Sequence, residues 1–136
     1  MHKALLLLIL MAIWPAARSA ELPQSAQLEI DQLLGSLGRT NCRFYRNGKW
    51  YSASDAQAHL TKKYEYLRKK KLLGSSEDFI TKAGTESSRS SQPYQVQCGK
   101  DDAVASAVWL QAELRRLRSD HRMTLLFLDK VVTWGR

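Results

Sequence analysis

His59 is placed where a histidine could do chemistry. Asp55 precedes it by one helical turn, and a serine-dense segment follows at Ser87-Ser88-Arg89-Ser90-Ser91. An imidazole can activate a serine hydroxyl as a nucleophile, and a carboxylate can orient that imidazole. The pattern lacks the Gly-x-Ser-x-Gly elbow that presents a nucleophile at the head of a helix. The competing reading makes His59 an ordinary helix residue, hydrogen-bonded to the serine loop or to a backbone carbonyl. The expectation is therefore a domain that is not an enzyme. A small hydrolase using His59 and a serine of the 87–91 loop is the alternative.

The same residues suit binding better than catalysis. Serine hydroxyls and turn amides can line an anion pocket. Arg46 at a hairpin tip, with His59 or Lys63, can add charge to it. Tyr45, Trp50, Tyr51 and Tyr94 can offer faces for a sugar to stack on, or else form core and cross-strand pairs. The candidate binding residues are Arg46, Asn47, His59, Lys63, Ser87, Ser88, Ser90 and Tyr94. No metal site is expected, because the histidines are His2, His59 and His121 and no tetrahedral ligand set forms around them. No cofactor is implied.

The compartment follows from the first residues. Met1-His2-Lys3 is a short basic start, Ala4 to Ile13 is apolar, and Trp14-Pro15 breaks the run before small residues. That is the layout of a secretory signal peptide, with cleavage expected after Ser19. The run is too short for a stable mature membrane span. The two cysteines, Cys42 and Cys98, should then meet an oxidising compartment and pair.

The 136-residue chain has a formal charge of +8, and taking away Lys3 and Arg18 lowers it to +6. The excess gathers at Lys62-Lys63, at Arg68 to Lys71, and at Arg115, Arg116, Arg118 and Arg122. Inside a cell such clusters would suggest nucleic acid. For an exported chain the anions at hand are lipid headgroups, envelope polysaccharides and acidic proteins. The plainer use of these clusters is as solvated helix faces.

These side chains need elements to hold them. Ala26, Ile30, Leu33, Leu34 and Leu37 recur at helical spacing, so a first helix should run from about Pro23 to Gly38. Aromatic residues flank Asn47-Gly48, which predicts a hairpin with strands at 42–46 and 49–52. Ser54-Asp55-Ala56-Gln57 reads as a capping box opening a second helix, which Gly74 should close. Ser75 or Ser76 should cap a short third helix with Phe79, Ile80 and Ala83 inside. Residues 84–92 read as loop, and 94–98 as a third strand. Asp101 or Asp102 should cap a fourth helix whose inner face is Ala103, Ala107, Leu110, Leu114 and Leu117. The apolar tail after Arg118 is legible neither as helix nor as strand. It either packs on the domain or forms an interface. The fold class is α+β, with a small antiparallel three-stranded sheet, helices packed on one face, and the order α-β-β-α-α-β-α.

Four motifs in order carry a resemblance. They are Phe44-Tyr45-Arg46-Asn47-Gly48, Ala56-Gln57-Ala58-His59-Leu60 with Lys62 or Lys63, Asp78-Phe79-Ile80, and Ser87-Ser88-Arg89-Ser90-Ser91-Gln92-Pro93-Tyr94-Gln95-Val96. Over roughly residues 28–118 the chain resembles the YfeK-like family, small secreted proteins of Gram-negative bacteria grouped as a domain of unknown function. The resemblance implies a bacterial, periplasmic protein and brings no catalytic residues. That family usually has glycine two residues before the proline, where this chain has Ser91. If the position needs a positive backbone angle, Ser91 bears strain.

The expected organisation is a signal peptide at 1–19, an α+β domain at 20–118 and an apolar tail at 119–136. The expected role is a periplasmic binding or interaction module without catalytic activity. Its partner would be an anionic envelope component or another periplasmic protein, with no role for nucleic acid.

Overall fold

The structure, a computed structural model, describes residues 21–134, with side chains described through Lys130. The export segment and its cleavage point lie outside the described residues. Helix α1 (Gln24–Gly38) follows Pro23, whose carbonyl accepts from the Gln27 amide at 3.0 Å. Its stripe of Ala26, Ile30, Leu33, Leu34 and Leu37 is buried, as the spacing predicts.

Strands β1 (Arg43–Arg46) and β2 (Lys49–Tyr51) form the expected hairpin. Asn47 and Gly48 both take positive φ, 49° and 82°, which matches the right-handed twist of the paired strands. Strands β3 (Gln95–Gln97) and β4 (Val104–Ala105) complete an antiparallel sheet in the order β2-β1-β3-β4. The sheet thus has four strands where three were expected. Val104 pairs with Val96 instead of entering a helix.

The extra strand displaces the start of the last helix. Helix α4 (Ser106–Trp134) begins at Ser106, so neither Asp101 nor Asp102 caps it. The Ser106 amide donates to the Tyr94 carbonyl at 2.9 Å, which carries the strand pairing into the first residue of the helix.

Helix α2 (Ala53–Lys69) also starts differently from the expectation. Its cap is Ser52, not Ser54. The Ser52 hydroxyl accepts from the Asp55 amide at 3.2 Å and donates to the Asp55 carboxylate at 2.8 Å. The helix ends before Gly74. Lys71 takes φ 56°, and the Leu72 amide donates back to the Leu67 carbonyl at 3.0 Å. That is a Schellman closure, built on a lysine where glycine is usual. Helix α3 (Ser76–Phe79) is capped by Ser75 and runs into a π-helical turn, Ile80–Gly84. Gly84 lies so close to α4 that a methyl there would run into the Leu110 side chain.

The core sits between the helices and one sheet face. Ile30, Leu33, Leu37, Phe79, Ile80, Ala83 and Leu110 are fully buried, with Phe44 and Val96 reaching in from the sheet. Trp109 meets Phe44 edge-on at 5.9 Å. The outer sheet face carries Arg43, Tyr45 and Trp50, with the Arg43 guanidinium over the Trp50 ring at 5.1 Å.

Cys42 and Cys98 are joined as a disulfide across 56 residues of sequence, just outside the Arg43–Gln97 register of β1 and β3. Arg118 of α4 clamps two other helices. It donates to Glu29 of α1 at 2.8 Å and to Glu77 of α3 at 2.6 Å.

The tail is helical. Past Arg122, however, Met123 and Leu125 to Leu128 are 53–68% exposed, so this stretch does not complete the core.

Candidate functional site

The hairpin and α2 bring Arg46 and His59 together. Alternation along β1 puts Cys42, Phe44 and Arg46 on the core side. Phe44 is buried, and Arg46, at the strand end, is half-buried over α2. Its Nη1 lies 3.0 Å from His59 Nδ1 and 3.4 Å from Nε2. Its Cζ lies 4.9 Å from the centre of the Tyr51 ring. A guanidinium can only donate. The nearer ring nitrogen, Nδ1, is therefore the acceptor, and the neutral ring keeps its proton on Nε2. That nitrogen faces the phenol oxygen of Tyr94 at 3.1 Å.

Lys63 lies one turn after His59, on the same face of α2. Its ammonium donates to the Glu86 carbonyl at 3.0 Å and approaches the Tyr94 hydroxyl at 3.5 Å. It also sits 5.1 Å from the centre of the Tyr94 ring. The four side chains form one line: Arg46, His59, Tyr94, Lys63. Among the described residues neither Arg46 nor Lys63 is in a salt bridge.

Burial and this positive surrounding set the protonation. Burial, then the charges of Arg46, Lys63 and Lys62, hold the His59 pKa down to about 4. The ring is neutral at neutral pH. Burial also lowers the Lys63 pKa against the pull of the Glu86 carboxylate. Burial raises that of Tyr94, with Arg46 opposing, so the phenol keeps its proton.

Beside this line is a cleft of about 40 Å³, lined by Tyr45, Arg46, Tyr51, Asp55, His59 and Tyr94, with Phe44 and Ser106 below. Among the described residues no group of His, Cys, Asp and Glu is arranged to hold a metal ion.

The serine loop is the second half of the site. A bridge between Glu86 and Pro93 closes it, with the Ser87 amide donating to the Gln92 carbonyl at 3.0 Å. Ser87 is buried beneath the loop. Ser90 donates to the Asn47 side chain at 2.6 Å, tying the loop to the hairpin tip. Ser91 takes φ 53°, the left-handed conformation in which a glycine would be relaxed.

The structure thus gathers Arg46, His59, Lys63 and Tyr94, and separately joins Asn47 to Ser90. Ser88 is exposed and belongs to neither group. Among the described residues the hydrogen bonds of His59 go to Arg46 and Tyr94, and none goes to a serine of the loop. Asp55 is engaged by its own cap instead of the imidazole. A ring that protonates near pH 4 is also a weak base at neutral pH.

Of the aromatics considered as stacking faces, Tyr45 and Trp50 are cross-strand partners at 5.3 Å on the outer sheet face. Tyr51 was named only as such a face, yet it lies against the Arg46 guanidinium. The Glu86 carbonyl was not foreseen as the Lys63 acceptor. It is a main-chain atom placed by the loop bridge, which leaves no mark in residue types.

No curated protein and no solved structure matches this chain. A family model does, over residues 24–118, and its description is a family of unknown function, DUF5329. That span holds the hairpin, both members of the disulfide and every residue of the cleft, and it stops where α4 leaves the core. The chain belongs to the DUF5329 family.

Proposed function

We propose that the protein is a non-catalytic binding module of the bacterial cell envelope. Its cleft between the hairpin and α2 takes a carboxylate or phosphate group of an anionic envelope component. One observation carries this reading: Arg46 and Lys63 approach the same neutral His59–Tyr94 pair from two elements, and among the described residues neither has a carboxylate in a salt bridge. An anion entering the cleft would meet the Arg46 guanidinium and accept a hydrogen bond from the Tyr94 hydroxyl, with Lys63 on the far side of that hydroxyl. The disulfide is in keeping with an oxidising compartment. The export-type start and the resemblance to YfeK-like proteins make the periplasm of a Gram-negative bacterium the expected location.

Retention on lipid-extracted envelope fractions tests it. Arg46→Ala and Lys63→Ala should each weaken retention roughly ten-fold, and added salt should weaken the parent in the same direction. Equal retention of parent and both variants would rule this reading out.

A further inference from the structure

Helix α4 is 29 residues long, and its first half lies against the domain. Leu110 and Leu114 are buried there, and Ala107, Trp109 and Leu117 pack beside them. Past Arg122 the helix carries Met123, Leu125, Leu126, Phe127 and Leu128, all more than half exposed. Successive helical residues are turned by about 100°. Leu125 to Leu128 therefore point to all four quarters around the axis. One flat protein face, or one partner helix, covers a single side of such a turn. A stretch that is apolar all round suits a medium that closes around it.

Charged residues flank the apolar stretch. Arg115, Arg116, Arg118 and Arg122, with Glu113 and Asp120 among them, come before it, Asp129 and Lys130 follow it, and no residue from Met123 to Leu128 is charged. Carboxylates engage Arg116 and Arg118. Arg115 and Arg122 are exposed and in no salt bridge among the described residues. Interfacial helices bury about 5–10 Å into the boundary between headgroups and acyl chains. No described helix is long and apolar enough to cross a membrane.

We propose that the exposed side of α4 from Arg115 onward docks on an anionic lipid bilayer, with residues 123–128 in the interfacial layer and Arg115 and Arg122 against headgroup phosphates. Both ingredients of interfacial binding, apolar surface and cations outside the salt bridges of the described residues, occur together along this part of the helix. The surface is separate from the Arg46–His59 cleft and does not depend on what that cleft takes.

Co-sedimentation of the full chain with vesicles provides the test. Vesicles containing phosphatidylglycerol should bind the protein, and vesicles of phosphatidylcholine alone should bind it at least several-fold less. The double variant Leu126→Glu/Phe127→Glu should lose anionic binding by roughly ten-fold or more. Arg115→Gln/Arg122→Gln should lose it roughly ten-fold, and Arg46→Ala should not change it. In a second readout, the emission of a Phe127→Trp variant should shift to the blue on anionic vesicles. Three results would each overturn the proposal: equal binding to both vesicle types, unchanged binding of the double glutamate variant, or an unshifted emission. A dimer that the double variant abolishes, without vesicle binding, would overturn it in favour of a second copy of this chain.

Discussion

Arg46 of β1 holds its guanidinium 3.0 Å from Nδ1 of His59 on α2. A permanent cation thus rests against an imidazole that is already half-buried, and both effects favour the neutral ring. The consequence is a pH dependence with a definite sign. The folded ring protonates near pH 4, whereas a free histidine does so near 6.5. Above 6.5 both folded and unfolded chains carry a neutral ring. Between 6.5 and about 4 the unfolded chain takes up a proton that the folded chain refuses. Stability should fall as pH drops through that window. Urea midpoints at pH 7, 6 and 5 measure it, and His59→Gln should flatten the slope. Arg46→Ala should move the NMR titration of His59 upward, though not to 6.5, because burial is the larger cause. A His59 that titrates at 6.5 in the parent would contradict the arrangement.

The disulfide closes a long loop, and the chain-entropy account assigns such a crosslink about 4 kcal/mol. Cys42→Ser/Cys98→Ser should lose most of that in a denaturant titration. Addition of a reductant should shift the parent midpoint and leave the variant unmoved. Equal midpoints for parent and variant would mean that register and core suffice to hold β1 against β3.

Ser91 occupies a left-handed backbone angle without the glycine that relieves it. Ser91→Gly should stabilise the domain by about 0.5 kcal/mol, the left-handed relief exceeding the entropy lost by glycine. Ser91→Val should destabilise by about 1 kcal/mol or more, because a branched side chain resists that angle. Thermal midpoints of the two variants should lie on opposite sides of the parent.

Arg118 is shared by Glu29 and Glu77, and its hydrogen bonds hold both carboxyls below the ordinary range. Since the arginine is 41% exposed, solvent screens much of the attraction. Arg118→Ala should cost about 1 kcal/mol at pH 7. Both carboxyls titrate lower when folded, so this contribution is present above about pH 4.5 and disappears as they protonate at lower pH. The parent and the variant should converge in strong acid.

Much of the fold was legible because it depends on local periodicity. Leu33 and Leu37 mark a helix face by spacing alone, and Asn47-Gly48 marks a hairpin by the angles it tolerates. Arg46, His59 and Lys63 could be named because a strand end and an i,i+4 helical pair are local facts. Other features were not legible. Val104 looks like a helix residue in sequence, and only the open edge of β3 turned it into a strand. Ser52 took the cap from Ser54 because the β2 strand ends where it does. In both cases the local preference was small, and a long-range partner outweighed it.

The division follows the range of the forces. By itself the sequence determined the helical stripes, the hairpin turn, the cysteine pairing and the basic balance, all of which rest on residue type and short spacing. Tertiary structure alone decided that His59 stays neutral between Arg46 and Tyr94, that the serine loop leans on Asn47 instead of on an imidazole, and that the apolar end of α4 stands free of the core. Protonation depends on burial and on charges brought from distant parts of the chain. Exposure depends on where the other elements end. Neither quantity exists until the chain has closed on itself.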